Sequence, residues 1–327
     1  MQIHLVHKQS LFKLFTFQIM ERVHNLLRWR PHKGALAYSG TALAYSLMHP
    51  VFSFYYVKVF LDIYKIPENY FHTVQLLYMV WNAVNDPLFG YCQDQSRWSI
   101  VRSRRHTILY GAPLFALSFV VPWFPWGNYE ENHVLCAVHL LVSLFFYDAM
   151  FTYVLLACGC LTAEMSTSHE DRIRMTQYGA YAVLLGSCSV FFSEHLSQHL
   201  ENFENFQRTC ICLSILALLG MLYTGRNAVT LYDRQEENSC KSTGKKSSAD
   251  RSTSHSIFTL TWQILSNPNF FWFVSMNFMT EIHGTFSSNF CFIIVDTLVP
   301  KDTISSFGWS VYYEIIILLP RVSNIPY

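Results

Sequence analysis

Charged residues are scarce in this chain, at 14% of its 327 positions, whereas a soluble globular domain carries roughly 25%. Hydrophobic residues make up 51% and aromatic residues 17% of the sequence. Lysine and arginine form no stripe with interleaved aromatic side chains, so a nucleic-acid partner is not expected. So little charge in so apolar a chain predicts a membrane protein whose main partner is the lipid bilayer.

The nine cysteines follow neither a metal-ligand nor a disulfide pattern. Cys158 and Cys160 are separated by one residue, as are Cys210 and Cys212, and all four lie in apolar stretches. A thiol in such surroundings behaves as a small hydrophobic side chain. No metal or cofactor is therefore expected. An enzyme is not expected either, because the spans carry no His/Asp metal set and no nucleophile motif.

A cleavable secretory signal is also missing. The short apolar run near the N-terminus is interrupted by Lys8 and Lys13, and no small-residue cleavage site follows it. A signal peptide needs a continuous apolar core. Residues 1–34 are therefore interpreted as a basic cytosolic segment that could lie on the lipid surface.

Long apolar runs are abundant, and a spanning helix needs about 20 mostly apolar residues. Six segments are predicted to span, near residues 35–60, 70–92, 107–125, 133–163, 177–195 and 207–225. We therefore take residues 35–225 as a six-span half. The Ser- and Lys-rich stretch 226–266 is predicted to be a cytosolic linker, because it cannot bury enough apolar surface to order itself. Residues 267–327 then begin a second half, with a seventh span and a short eighth near 307–320.

The basic residues sort by alternate loops. With the N-terminus in the cytosol, the inner segments 1–34, 93–106, 164–176 and 226–256 hold 18 of the 23 lysines and arginines. This bias is the positive-inside pattern of multi-span membrane proteins. It agrees with the six spans, which were placed from hydropathy alone, and a soluble helical protein would not sort its basic residues in this way.

Asp86 lies inside the second apolar segment, where a carboxylate near the bilayer centre costs about 2.5 to 3.5 kcal/mol. Asn82 precedes it by four residues, which places both side chains on one helical face. Such a polar face could hold a small cation or a proton. Gly90 would allow a neighbouring helix to approach closely, and Asp94 falls within reach of the arginines in the following loop.

The stretch "WNAVNDPLFGYCQDQSRW", residues 81–98, resembles the second-helix and loop signature of the glycoside–pentoside–hexuronide cation symporters, a branch of the major facilitator superfamily. Segments 143–166 and 267–276 also resemble an animal multi-span member of that superfamily. The matching positions in the signature are Trp81, Ala83, Asn85, Asp86, Pro87, Gly90, Asp94, Ser96 and Arg97. The resemblance implies an all-α membrane protein with a major-facilitator helical bundle. This chain would supply one six-helix half and about one and a half to two helices of the second half.

The resemblance also implies a site for a solute and a coupling cation, either a proton or sodium. Asp148 matches a sugar-contacting aspartate of the family, whereas Asn82 stands where the family has an aspartate, and residues 36–57 lack the expected first-helix acid. Each carboxylate could instead serve helix packing. The candidate solute- and cation-binding residues are Asp86, Asn82, Asp148 and Asn85.

Other polar residues are assigned to the inner gate or to topology. Glu164 resembles the gate acid that pairs with loop arginines when the inner face is closed, and Arg104 and Arg105 are expected to be topology markers. Glu281 and His283, in the seventh span, are secondary candidates for lining the cavity. The gate and topology residues are Asp94, Arg97, Glu164 and Arg102.

Two functions remain open from the sequence. The first is a secondary active solute:cation symporter, with a sugar-like solute and a plasma-membrane location. The second is a non-transporting membrane protein, or a truncated form of the transporter, that acts through partner binding. The second stays open because a complete transporter of this type needs twelve helices.

Overall fold

The computed structural model describes residues 32–96, 98, 101, 103–197, 200–231, 262–263, 265–280 and 282. Within these residues every regular element is a helix. The helices are α1 (Lys33–Lys58), α2 (Glu68–Gln95), α3 (Arg104–Val120), α4 (His133–Met165), α5 (His169–Ser187), α6 (Ser189–Ser197) and α7 (Phe203–Asn227). A π-helical turn, Val59–Ile63, extends α1, and a 3-10 turn, Val121–Trp123, extends α3. Residues 268–280 are also helical.

Each of the six apolar segments predicted from the sequence is helical. The fifth is divided at Cys188 into α5 and α6. Within the described residues three helices are long and apolar enough to cross a membrane: Arg104–Trp123, His133–Met165 and Phe203–Asn227. The sequence predicted six spans; α2 is long enough but less apolar, because it carries the polar residues of the candidate site.

Side-chain caps and prolines show why the helices begin and continue where they do. The Asn132 side chain accepts a hydrogen bond from the backbone N–H of Leu135 at the start of α4, and Asn202 caps α7 in the same way. Such caps satisfy backbone donors that have no partner within the helix. Pro87 lies inside α2, which nevertheless continues to Gln95. Because proline has no N–H, the carbonyl of Ala83 loses its usual donor within the helix.

Helix α1 packs against α5 and α7, α3 packs against α4 and α7, and α2 packs against α4. Aromatic side chains fill the space between α1, α3, α4 and α7. The ring of Phe52 stacks on Tyr147 with centroids 3.7 Å apart, and the fully buried Trp123 lies edge-on to Phe206 at 5.1 Å. Helix α2 is therefore held at the rim of the described bundle by its contact with α4.

Helices α1 and α7 approach each other closely. A Cβ atom at Gly40 would lie 2.5 Å from the Gly220 carbonyl oxygen, and the Thr224 hydroxyl donates to the Ala37 carbonyl oxygen at 2.7 Å. The approach expected at Gly90 is not found, since a Cβ there would meet nothing within 4 Å among the described residues.

Some predicted segments cannot be compared with the structure. The N-terminal segment up to residue 31, residues 232–261 of the predicted linker and the short eighth span lie outside the described residues.

Candidate functional site

Helices α2 and α4 bring the four candidate binding residues together around Asp148, which lies one residue from the midpoint of α4. Its Oδ1 atom accepts hydrogen bonds from the Tyr78 hydroxyl at 3.3 Å and from Asn82 Nδ2 at 3.2 Å. Its Oδ2 atom accepts from Asn85 Nδ2 at 2.8 Å. Three donors from one helix thus converge on one carboxylate of the other. We call this group the Asp148 junction.

A second carboxylate is joined to the junction through Thr152. Asn85 Nδ2 also donates to the Thr152 hydroxyl at 3.0 Å, and that hydroxyl donates to Asp86 Oδ1 at 2.9 Å. Asp148 and Asp86 are therefore connected by two intermediate groups, the carboxamide of Asn85 and the hydroxyl of Thr152. Both carboxylates act only as hydrogen-bond acceptors in this arrangement.

The two carboxylates differ in exposure and in number of partners. Asp148 is 6% exposed and Asn85 is fully buried, whereas Asp86 and Asn82 are exposed. No lysine, arginine or histidine side chain pairs with either aspartate among the described residues. The Asn85 Oδ1 atom is buried and has no hydrogen-bond partner there. The site therefore offers oxygen ligands and negative charge without a basic counter-ion.

Aromatic and polar neighbours hold α2 against α4 on the same side. The Trp81 ring stacks on Phe145 with centroids 5.1 Å apart. One and two turns earlier on α2, Tyr78 reaches Asp148 and Gln75 donates to the Tyr56 hydroxyl at 3.2 Å. Polar contacts of this face thus extend to α1.

The sequence analysis missed Tyr78 and Thr152. Both could have been found from helical spacing, because Tyr78 precedes Asn82 by four residues and Thr152 follows Asp148 by four. Neither is charged, so neither stands out in an apolar segment in the way that an aspartate does.

A second polar cluster lies where α2 and α4 end and α3 begins. This side of the helices is predicted to face the cytosol. Arg104, the first residue of α3, pairs with Asp94 through Nη2 and donates from Nη1 to Gln93 Oε1 at 2.9 Å. Its Nε atom lies 3.4 Å from Glu164 Oε1. Gln93 in turn donates to the Tyr153 carbonyl oxygen at 2.7 Å. We call this group the Arg104 cluster.

The Arg104 side chain is 11% exposed and joins three helices, a contact that the sequence did not predict; its expected role as a topology marker stays a prediction. Asp94 and Glu164, both predicted to contact loop arginines, do contact one. Because Arg104 follows a polar loop, the sequence alone does not show that its guanidinium turns inward. Four candidates, Arg97, Arg102, Glu281 and His283, lie outside the described residues.

We compared the sequence of this chain with protein families and with known proteins. The family described as "MFS/sugar transport protein" matches residues 37–325. The chain is 28% identical over 310 residues to Transmembrane protein 180 of Gallus gallus, and 29% identical over 318 residues to that of Mus musculus. Each match covers 89% of this chain and 59% of the relative.

A third relative is more distant. Sodium-dependent lysophosphatidylcholine symporter 1 of Xenopus tropicalis is 25% identical over 134 residues, which cover 41% of this chain and 25% of that protein. Against the two Transmembrane protein 180 sequences, this chain spans 59% of the length of the relative.

These matches confirm the resemblance to the superfamily and the narrower resemblance to its animal member. They also agree with a partial major-facilitator bundle that crosses the membrane several times. By the match over residues 37–325, this chain belongs to the MFS/sugar transport protein family.

Proposed function

We propose that this chain acts as a solute:cation symporter, in which the Asp148 junction and Asp86 bind the coupling cation and the solute. The observation that carries the proposal is the pair of carboxylates, Asp86 and Asp148, joined across α2 and α4 with no basic partner in the described residues. Intramembrane carboxylates are costly and mark ion or proton pathways. A packing role alone would favour neutral hydrogen-bonding groups.

The oxygen atoms at the site fit a hard monovalent cation or a proton. Asp86 Oδ1, the Thr152 hydroxyl and Asn85 Oδ1 are ligands of the type that such cations bind, and Asn85 Oδ1 has no hydrogen-bond partner in the described residues. Asp86 is the more open of the two carboxylates and accepts one hydrogen bond, so a cation can reach it without displacing the donors around Asp148. Binding would remove part of the uncompensated negative charge.

The proposed solute is sugar-like. Carboxylates and carboxamides such as Asp148 and Asn82 bind hydroxyl groups through paired donor and acceptor contacts. The description of the family includes sugar transport. One relative is described as a lysophosphatidylcholine symporter, so a lysophospholipid is the alternative solute that the experiment must include.

The remaining assignments belong to the same proposal. The Arg104 cluster, with Asp94 and Glu164, would hold the inner ends of α2, α3 and α4 together, and Arg97 and Arg102 would join the gate when the inner face closes. Glu281 and His283 would line the cavity from the segment 267–327. The linker 226–266 and the N-terminus would lie in the cytosol of a plasma-membrane protein.

Uptake by proteoliposomes containing the full chain tests this function. Radiolabelled melibiose, glucose and lysophosphatidylcholine are supplied with an inward sodium gradient, an inward proton gradient or no gradient. We expect one solute to accumulate only with a cation gradient. Replacing Asp86 by Asn should reduce that accumulation at least tenfold.

Asp62→Asn is the matched control, because Asp62 is an exposed carboxylate beyond the end of α1, and it should transport as the unmodified chain does. Gradient-driven uptake that survives Asp86→Asn would show that the carboxylate is not needed for coupling. Uptake of none of the three solutes, with a stable partner protein on purification, would favour the non-transporting function.

A further inference from the structure

Thr152 lies between Asp86 and the Asp148 junction and connects them through its hydroxyl. Its hydroxyl is the single side-chain group in the described residues that contacts both Asn85 and Asp86. Asn85 donates in turn to Asp148 Oδ2 at 2.8 Å and lies 3.3 Å from the Asp148 carbonyl oxygen. The path from the exposed carboxylate to the buried one therefore passes through one rotatable hydroxyl.

The hydrogen-bond capacity of this hydroxyl limits what it can do. A threonine hydroxyl has one proton to donate and two lone pairs to accept with. At present the proton points to Asp86 Oδ1 and one lone pair accepts from Asn85 Nδ2. If Asp86 is protonated on Oδ1, the oxygen that faces Thr152, its new O–H donates to the Thr152 hydroxyl, which then accepts.

The proton of Thr152 then needs another acceptor. The carbonyl oxygen of Asp148 lies four residues earlier on α4, which is the acceptor that helical threonines commonly use. Sodium on Asp86 has the same effect, because a cation that binds the Thr152 oxygen repels the hydroxyl proton to the far side. In both cases the rotated hydroxyl competes with Asn85 Nδ2 for the Asp148 carbonyl oxygen.

We propose that Thr152 is the positioning residue that transmits cation occupancy from Asp86 to the Asp148 junction, by rotation of its hydroxyl. This inference rests on the proposed function, since it requires that Asp86 bind the cation. Asp86 gains either a proton, which forms one O–H bond, or a sodium ion, which its oxygen coordinates; all other changes are exchanges of hydrogen bonds. The consequence for transport is that the cation changes the donors available to Asp148, and hence its readiness to bind solute.

Infrared difference spectroscopy on the purified full chain tests the proposal. Spectra are recorded on exchange of choline chloride for NaCl, and on a step from pH 8 to pH 5. The carboxylate bands are assigned with Asp86→Asn and Asp148→Asn. In the unmodified chain we expect both carboxylates to respond to the cation that binds.

Thr152→Val keeps the shape of the side chain and removes the hydroxyl. We expect the Asp86 band to respond and the Asp148 response to fall at least fivefold. Thr152→Ser, which retains the hydroxyl, should restore the Asp148 response. The matched control is Thr41→Val, because the Thr41 hydroxyl is buried and makes no hydrogen bond in the described residues; it should leave both bands unchanged.

The outcomes separate the two proposals. If neither carboxylate responds to sodium or to pH in the unmodified chain, the cation site fails and this inference fails with it. If both respond and Thr152→Val gives the same spectrum as the unmodified chain, the cation site stands and the role of Thr152 is overturned. Far-ultraviolet circular dichroism confirms that each variant keeps its helical content.

Discussion

Asp148 links α4 to α2 by accepting hydrogen bonds from Tyr78, Asn82 and Asn85. Asp86, one residue after Asn85, accepts a hydrogen bond from Thr152 and from no other side chain in the described residues. The two aspartates thus have different structural roles. Asp148 organises donors, and Asp86 remains accessible.

This difference predicts unequal effects on stability. In Asp148→Asn the new amide group meets the amide and hydroxyl donors already present, so one donor loses its acceptor, and the expected loss is about 1 to 3 kcal/mol. Asp86→Asn should cost less than about 1 kcal/mol, since the new side chain can still accept from Thr152. Thermal unfolding in detergent measures both. Equal losses would contradict the assignment of Asp148 as the organising residue.

Arg104 illustrates what residue-level reasoning from the sequence could and could not supply. The positions of Asp86, Asn82, Asn85 and Asp148 were identified from the cost of burying polar groups and from the family signature, and the structure places all four together. The burial of Arg104 was not foreseen, because an arginine beside a polar loop can point to water or inward with the same local sequence. Tertiary contacts decide between these directions.

The Arg104 cluster predicts that replacing Arg104 by a neutral polar residue strongly lowers the stability of the fold. Arg104→Gln removes the guanidinium that contacts Asp94 and Glu164, and breaking such a partly buried pair should cost about 3 kcal/mol. The control Arg208→Gln removes an exposed pair with Glu204 on α7 and should cost less than about 1 kcal/mol. Thermal unfolding midpoints compare them, and a similar small shift for both would place Arg104 among ordinary surface residues.

Helix boundaries were largely predictable, because apolar runs of about 20 residues define spanning helices whatever their neighbours do. Helix contacts were not. The sequence suggested Gly90 as a point of close approach, whereas the structure has that approach at Gly40 and Gly220. A glycine permits close approach without requiring it, so spacing within one helix does not identify the partner helix.

Alanine at Gly40 should therefore weaken the contact between α1 and α7. Its Cβ atom would lie 2.5 Å from a backbone oxygen, so the helices must separate, and overpacking of this kind costs about 1 to 3 kcal/mol. Gly159→Ala is the control, since nothing described lies within 4 Å of its Cβ; it should be neutral or stabilise by up to about 1 kcal/mol. Thermal unfolding distinguishes them, and equal tolerance would mean that α1 and α7 are not in close contact.

At the scale of the whole molecule, the account depends on the direction in which the helices cross the bilayer. The basic bias of alternate loops predicts that the Arg104 cluster faces the cytosol and that residues 124–132, between α3 and α4, lie outside. The two carboxylates then lie between these faces, Asp148 near the middle of α4. A route from one side of the membrane to the other would pass the candidate site.

Epitope tags test this orientation. A tag inserted between residues 240 and 250 should bind antibody only after the plasma membrane is permeabilised, whereas a tag at residues 127–131 should be accessible in intact cells. Opposite accessibility, or the same accessibility for both tags, would contradict the predicted layout. Surface biotinylation of the unmodified chain provides the control for plasma-membrane location.

The central claim is that Asp86 binds the coupling cation in contact with the Asp148 junction. Charge movement in full-chain proteoliposomes adsorbed on a solid-supported membrane measures this most directly, after a rapid step in sodium at constant ionic strength or a rapid step in pH. We predict a saturable transient current for one of these cations in the unmodified chain and in Asp62→Asn, and its loss in Asp86→Asn. A current of unchanged size in Asp86→Asn, or no current with either cation in the unmodified chain, would contradict the claim.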